Sequence, residues 1–431
     1  MAQLELAAGS KTFRPEGSKL SQQNEQEFIK VRVEKTASLR QKGIDPYPTN
    51  YKRTHTSKQA EEAFEAAEKV NDEFNEKIKV AGRIMGRRGM GKASFIDLSD
   101  TDGRIQVMMR SNVLNEDYEI LDDLDIGDWI GAEGTLFRTR TGQITLQVTT
   151  FSILCKSLRP LPEKWHGLTD VETRFRQRYL DLISNEDAIK TAKTRSLLVS
   201  TIRQFMNERG FIEVETPILV PIAAGGMAHP FTTHHNALNR NLFLRIATEL
   251  HLKRLVVGGI EKVFEIGRVF RNEGVDLQHN PEFTTMESYE AFSDYNDVMD
   301  MVEQLVSTAA TALNGSETVK YGEEELKFSP PWPRIDLREK IIEVSGIDFF
   351  EHPGLDSLKT AMSEAGIDVS QQVSWSGLLD KLISDKVEPT LVQPCFLVNY
   401  PVAMSPLAKK SPDDDRIAER FEGFVCGMEI C

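Results

Sequence analysis

The chain has 431 residues, of which 40% are hydrophobic and 27% charged, with a formal net charge of −14. That length suits two or three globular domains, and no run approaches the ~20 apolar residues that span a bilayer, which excludes a membrane protein of that kind. Four scattered cysteines (Cys155, Cys395, Cys426, Cys431) exclude a disulfide scaffold and fit a reducing cytoplasm, and the acidic balance requires any nucleic-acid contact to use a local basic patch.

Residues 1–22 mix Lys, Arg, Glu and Ser without an apolar core and read as a disordered tail rather than a secretory signal. Helical patterns fill 23–77: Asn24 to Gln41, stopped by Gly43 with Pro46 and Pro48 beyond, then the charged stretch Tyr51 to Lys77. The period then changes. Runs at Ile78 to Gly86, Ala93 to Ser99, Ile105 to Arg110, Asp128 to Phe137 and Ile144 to Leu154 give five short strands within 78–157, which predicts a small barrel of the OB type. Residues 158–187 open with Leu158-Arg159-Pro160-Leu161-Pro162 and read as a linker. A second domain covers 188–431. It starts with a helix from Ala188 to Arg209, closed by Gly210, and strands at Phe211 to Thr216, Leu242 to Ile246, Lys262 to Ile266, Val269 to Glu273 and Glu282 to Phe292. A mostly helical insertion over about 294–387 follows, before strands at Phe396 to Asn399 and Phe421 to Ile430.

In the barrel, Ile78, Val80 and Ile84, then Ile96 and Leu98, then Ile105 and Val107 take the inward parity, which turns Arg83, Phe95 and Gln106 toward one outer face. An exposed aromatic beside a cation and an amide offers a single-stranded base a stacking platform and an edge reader. Residues 77–110 hold eight Lys/Arg against three Asp, a local +5 in an acidic chain. An ordinary solvated face, with Phe95 covering a loop, would look the same. Gly86 to Lys92 imitates a phosphate loop, but Ala93 stands where Ser or Thr is needed, and a strand follows instead of a helix.

The densest chemistry runs from Phe270 to Tyr289. Arg271 and Glu273 are two apart on an expected strand, Gly274 to Pro281 turns the chain back, and Phe283, Thr285, Glu287 and Tyr289 share one parity on the return. One face then gathers a cation, two carboxylates and two aromatics. A solvated hairpin would alternate likewise, but the apolar flanks predict a buried sheet, where a charge needs a partner or a ligand.

F-R-N-E at 270–273, with a loop His and a returning Phe, resembles the second signature motif of the class II aminoacyl-tRNA synthetases. Arg195 to Pro217 resembles their first motif, which forms the family's dimer interface. M-G-K-A-S-F-I, L-R-P-L-P and R-Y-L-D-L-I, between Ile78 and Ile183, resemble the lysine-specific branch with its anticodon-binding barrel. The resemblance implies an α+β fold: an N-terminal OB-fold β-barrel plus a class II antiparallel β-sheet domain flanked by helices. It also implies a cytoplasmic homodimer that joins L-lysine to tRNA(Lys) through a lysyl-adenylate made from ATP, with Mg2+.

Carried over residue by residue, Arg271 resembles the catalytic cation on the α-phosphate and the amino-acid carboxylate, Phe283 the ring that stacks on adenine, and Glu273 and His279 further nucleotide contacts. Gly225 resembles a lysine-binding residue of the amino-acid loop, Glu249 the α-amino partner, and Glu287 and Tyr289 the pair that receives the side-chain ammonium. A desolvated ammonium demands a carboxylate, so Glu287 argues for lysine, whereas an aspartate pocket would want Arg or Lys. Arg83, Phe95 and Gln106 fall at the anticodon surface. Glu422 and Glu429 resemble the magnesium ligands; a separation of seven would set them on opposite faces of a regular strand unless a bulge at Gly427 intervenes.

The sequence stops at Cys431, where the family continues into an Asn, a second pocket Glu and the third motif, so little or no aminoacylation is expected of this chain alone. Three residues separate Gly225-Gly226 from Pro230-Phe231 where the family has four, which predicts a shifted amino-acid loop. An aspartyl- or asparaginyl-type synthetase with the same barrel, and a non-catalytic tRNA-binding or regulatory relative, are the competing readings.

Overall fold

The computed structural model describes residues 19–70, 74–162, 168–274 and 279–431. The chain divides into two compact units at Thr191/Ala192. Residues 1–18 of the expected tail lie outside the described residues, and 19–22 belong to a helix, Lys19–Gln41, rather than to a tail. A second helix, Ser57–Lys69, starts where the Thr56 side chain and Gln59 exchange hydrogen bonds with each other's backbone.

The first unit is built on β1 (Ile78–Met90), β2 (Ala93–Ser99), β3 (Arg104–Arg110), β4 (Trp129–Arg138) and β5 (Ile144–Cys155), closed in the order β1-β2-β3-β5-β4. β3 and β5 run parallel, and β1 closes on β4 antiparallel. The alternation drives the inward set of Ile78, Val80, Ile84, Ile96, Leu98, Ile105 and Val107 into one core. The glycine-rich run is the β1–β2 hairpin, so no phosphate loop forms.

The first helix is clasped to the barrel by polar groups. Arg32 donates to the carbonyls of Ser157 (2.7 Å), Arg159 (3.1 Å) and Ile126 (3.1 Å), and Lys35 meets Asp125 at 2.8 Å. The buried Lys156 ammonium joins Asp125 (2.8 Å) to Asp128 (2.5 Å). The expected linker is not plain coil. It folds into two short helices, Val171–Arg176 and Arg178–Ser184, because the buried Asp181 gathers Arg174, Arg178 and Asn185 around one carboxylate.

The second unit carries β6 (Ile212–Glu213), β7 (Leu219–Val220), β8 (Thr232–His235), β9 (Arg240–Leu244), β10 (Lys262–Phe270) and β11 (Glu282–Glu290). They form sheets β11-β10-β6 and β7-β9-β8. β12 (Thr318–Tyr321) and β13 (Glu324–Lys327) make a hairpin, and β14 (Arg334–Asp336), β15 (Cys395–Pro401), β16 (Ile417–Val425) and β17 (Met428–Glu429) make a sheet in that order. The fold class is α+β as expected, with parallel pairings of β6 to β10 and of β14 to β15 in otherwise antiparallel sheets.

The insertion holds helices Tyr295–Asn314, Leu337–Ser345, Leu355–Glu364 and Trp375–Leu382 but also β12 to β14. Its core of Leu337, Ile341, Leu358, Leu378 and Leu382 packs with Leu397 and Phe424 of the sheet. Two expected strands, Lys262 to Ile266 and Val269 to Glu273, are one. Gly267-Arg268 resembles a turn in sequence, yet Gly267 pairs with Thr285 and the ladder continues.

Candidate active site

β10 and β11 pair without interruption from Lys262↔Glu290 to Phe270↔Glu282. Directly opposed residues point to the same side of a sheet, so Phe283, Thr285, Glu287 and Tyr289 share a face with Val269, Gly267, Glu265 and Val263. β10 ends at Phe270, which corrects the expectation that Arg271 and Glu273 lie on the strand. Pro281 has no N–H to give back, so the ladder stops there. Arg271 remains aligned, because its amide donates to the Pro281 carbonyl at 2.9 Å and its guanidinium lies 5.3 Å from the Phe283 ring centre. Glu273 and His279 are exposed on either side of residues 275–278, which lie outside the described residues.

Further along this face, Glu287 accepts the Thr248 amide at 3.0 Å, at the start of the helix Glu249–Val257. Burial and the carboxylates of Glu287 and Glu249 push the Tyr289 hydroxyl far above its ordinary value, so it stays protonated as a hydrogen-bond partner of Glu287. Glu249 pairs with Lys253 at 2.6 Å, and the Lys253 ammonium lies 5.6 Å from the Tyr289 ring centre. Gly225 sits at φ +90, and a Cβ there would come within 2.8 Å of the Ala247 Cβ and 3.1 Å of the Glu249 Cβ. Only glycine lets that loop close on Glu249. The Asn272 amide donates to the His229 carbonyl at 2.7 Å, which fixes the loop's other end beside Arg271.

Sequence reasoning missed the buried pair next to Glu287. Arg245 and Glu265 are each 3% exposed and meet at 2.6 Å. Glu265 also accepts the Thr216 amide (3.2 Å) and hydroxyl (2.6 Å), and Arg245 donates to the carbonyls of Arg268 (2.8 Å) and Thr216 (3.1 Å). The signal lay in K-V-F-E-I-G at 262–267, a lone carboxylate in an apolar strand two residues before a glycine.

Glu422 and Glu429 do reach one face, by a different route from the expected bulge. Cys426 (φ 51) and Gly427 (φ 70) form a two-residue turn, and Phe424 pairs with Glu429. Phe424 shares its parity with Glu422, so Glu429 lies diagonally across from Glu422. Burial and Glu422 push the Glu429 carboxyl above its ordinary range. Tyr400 donates to Glu422 at 2.5 Å, and Arg420 donates to its other oxygen. Carboxylate oxygens are the donor type a divalent cation takes, although here Glu422 is already ion-paired with Arg420. Among the described residues no group of three or more His, Cys, Asp or Glu is assembled for a metal.

On the barrel, Phe95 is half-buried on the outer face, opposite Arg88 of β1 and Met108 of β3. Gln106 shares that face but is not open to solvent: β3 is buried from Ile105 to Met109, and the Thr145 hydroxyl donates to Gln106 at 3.0 Å. Arg83 lies level with Ser99, four residues or about 13 Å along β2 from Phe95. It stacks 5.1 Å from the Trp129 ring centre and donates to the Gly127 carbonyl at 2.8 Å. Arg88 is the cation beside Phe95, paired with Asp97 at 3.2 Å.

Residues 170–431 match the family model for class II tRNA synthetases (D, K and N), and residues 78–154 match that for the OB-fold nucleic acid binding domain. The lysine–tRNA ligase of Dehalococcoides mccartyi strain CBDB1 is 52% identical over 400 residues, covering 93% of this chain and 80% of that protein. The lysine–tRNA ligases of Carboxydothermus hydrogenoformans (47% over 405 residues, 94% and 82%) and Bacillus subtilis strain 168 (45% over 405 residues, 93% and 81%) are similar over comparable lengths.

Proposed function

The chain belongs to the class II tRNA synthetases that use ATP, and on that premise we propose that it joins L-lysine to tRNA(Lys) through a lysyl-adenylate. The names of its relatives favour lysine over aspartate and asparagine. One observation carries the residue assignment: the β10–β11 register sets Phe283 and Glu287 on a single face, with Arg271 against Phe283 at one end and Glu249 beside Tyr289 at the other.

In the first step the lysine carboxylate attacks the α-phosphorus of ATP, a carboxylate oxygen–phosphorus bond forms, and pyrophosphate leaves. That carboxylate is already ionised near neutral pH, so the protein supplies no base. Arg271 holds the carboxylate and α-phosphate together and balances charge gathering at phosphorus. Phe283 stacks on adenine, while Glu273 and His279 bound the nucleotide from the loop. Glu287 and the protonated Tyr289 receive the side-chain ammonium, and Glu249, with Gly225 packed against it, receives the α-ammonium. In the second step a terminal ribose hydroxyl of the tRNA attacks the lysyl carbonyl and AMP leaves. Glu422 and Glu429 would hold Mg2+, which neutralises charge on the ATP phosphates when bound.

The barrel meets the anticodon through Phe95, with Arg88 rather than Arg83 as the nearest cation and Gln106 as a group fixed by Thr145. Unpaired cysteines suit the cytoplasm, and no helix among the described residues is long and apolar enough to cross a membrane. Exposed apolar side chains at Ile212, Ile218, Leu219, Ile222 and Leu250 support a homodimer.

Calorimetric titration tests the assignment. L-lysine is expected to bind wild type, L-aspartate and L-asparagine are not, and Glu287→Gln should weaken lysine by at least about tenfold, the cost of losing one charge-assisted contact. Equal lysine affinity in Glu287→Gln would overturn the pocket.

A further inference from the structure

Two carboxylates face each other across β10 and β11, because Glu265 is the register partner of Glu287. Their surroundings differ completely. Glu265 is buried and saturated by Arg245 and by both polar groups of Thr216. Glu287 is less buried, holds the Thr248 amide and the Tyr289 hydroxyl, and forms no ion pair among the described residues. The guanidinium reaches Glu265 by crossing over Gly267, where a Cβ would lie 2.3 Å from Arg245 Nη2. A side chain at 267 would evict it. Three further hydrogen bonds, to the carbonyls of Arg268 and Thr216 and to the Thr216 hydroxyl, aim Arg245 along the sheet toward Glu265.

We propose that Arg245 and Glu265 form an insulated ion pair that determines the charge specificity of the amino-acid pocket, by keeping Glu287 the only one of the two facing carboxylates open to an ammonium. The inference rests on the reading of Glu287 as the ammonium partner. A free guanidinium on this face would satisfy Glu287 itself, and so occupy the position of the substrate's own cation. Glu265 prevents that by offering Arg245 a deeper, drier carboxylate, where the attraction is stronger than at the more exposed Glu287. Neither residue touches substrate in this scheme, so both are positioning residues.

The arrangement makes a prediction of definite sign. Glu265→Gln leaves Arg245 charged and without its partner, and lysine then competes with it for Glu287. The Kd for L-lysine should rise at least about tenfold while that for ATP, bound at the other end of the hairpin, stays within about threefold. Adding Arg245→Met to Glu265→Gln removes the competitor and should restore lysine affinity to within about threefold of wild type. Arg245→Lys keeps both charges and should retain most of it.

Calorimetry on the full chain reads all of these, with circular dichroism as the check of folding. Unchanged lysine affinity in folded Glu265→Gln, or a double variant as weak as the single one, overturns the proposal. If Glu265→Gln does not fold, the decision passes to the double variant: a folded double variant with lysine affinity reduced tenfold or more overturns it equally. If Glu287→Gln also leaves lysine binding intact, the pocket reading itself has failed. If Glu287→Gln abolishes binding and Glu265→Gln does nothing, only the ion-pair inference has.

Discussion

Thr248 does two unlike things at one position. Its amide holds a Glu287 oxygen at 3.0 Å, while its hydroxyl is buried without a hydrogen-bond partner, the one such side-chain atom among the described residues. At the start of a helix a threonine hydroxyl normally accepts a first-turn amide, but here the residue has φ −100 and ψ −9 rather than the extended cap conformation, and makes no such bond. An unpaired buried hydroxyl costs ~1–3 kcal/mol, and valine has nearly the same shape. Thr248→Val should therefore raise stability by about 1 kcal/mol in urea unfolding, with lysine affinity unchanged because the amide remains. A loss of stability would mean that the hydroxyl is satisfied in solution. Phe95 belongs to the same scale. If one base stacks on it, Phe95→Ala weakens tRNA binding by ~1–3 kcal/mol in a filter assay, and unchanged binding removes it from the interface.

Short elements decide which distant residues meet, and the turn Cys426-Gly427 is the clearest case. Both residues have positive φ, so the chain reverses in two residues and Glu429 crosses to the face of Glu422. An alanine at 427 would keep φ near +70 at a cost of ~1–2 kcal/mol, and its Cβ would stand 3.1 Å from the Glu388 carbonyl. Gly427→Ala should lower the thermal midpoint and weaken Mg2+-dependent ATP binding together; a lower midpoint with unchanged ATP binding would separate the turn from the site. The N-terminal helix gives a pH test. Burial raises the Asp125 carboxyl, but the ammonium groups of Lys156 and Lys35 outweigh it and hold the group below its ordinary range. Its contribution is thus fully present above the unfolded value of about 3.9 and is lost as pH falls toward the lower folded value. Asp125→Asn should lower stability at neutral pH and flatten the acid limb below pH ~4; an unaltered limb would exclude the clasp as its source.

These elements also show what a linear reading can reach. The barrel strands and the parity of Phe283, Thr285, Glu287 and Tyr289 were legible, because a period of two is local. The geometry by which Glu422 and Glu429 reach one face was not legible, since it depends on a turn that only positive φ permits. Arg245–Glu265 was not legible, because the partners lie on different elements and Gly267 matters only once both are present. Gln106 failed for a related reason: strand parity gives a face, and only the packed barrel says whether that face is open.

At the scale of the whole molecule, the exposed apolar surface of the second unit has one economical use. Ile222 and Leu250 line a single cavity of about 120 Å³ with Val220, Pro221, Ala224 and Ala247, edged by Arg245, His251 and Arg254. Val257 lies two helical turns beyond Leu250 on the same face of its helix, and Ile222 and Val257 are 74% and 90% exposed. Side chains this exposed contribute little to the fold of one chain, so changing them probes association rather than folding. In sedimentation velocity the wild type is expected to run as a dimer. Ile222→Asp with Val257→Asp should run as a monomer with unchanged circular dichroism, because burying two added carboxylates per chain at a self-complementary interface costs desolvation that an apolar contact does not. The thermal midpoint of the wild type should rise with protein concentration, as linkage of folding to association requires, and that of the variant should not. A variant that remains dimeric would move the interface elsewhere, and a monomeric wild type would leave this surface for a different partner.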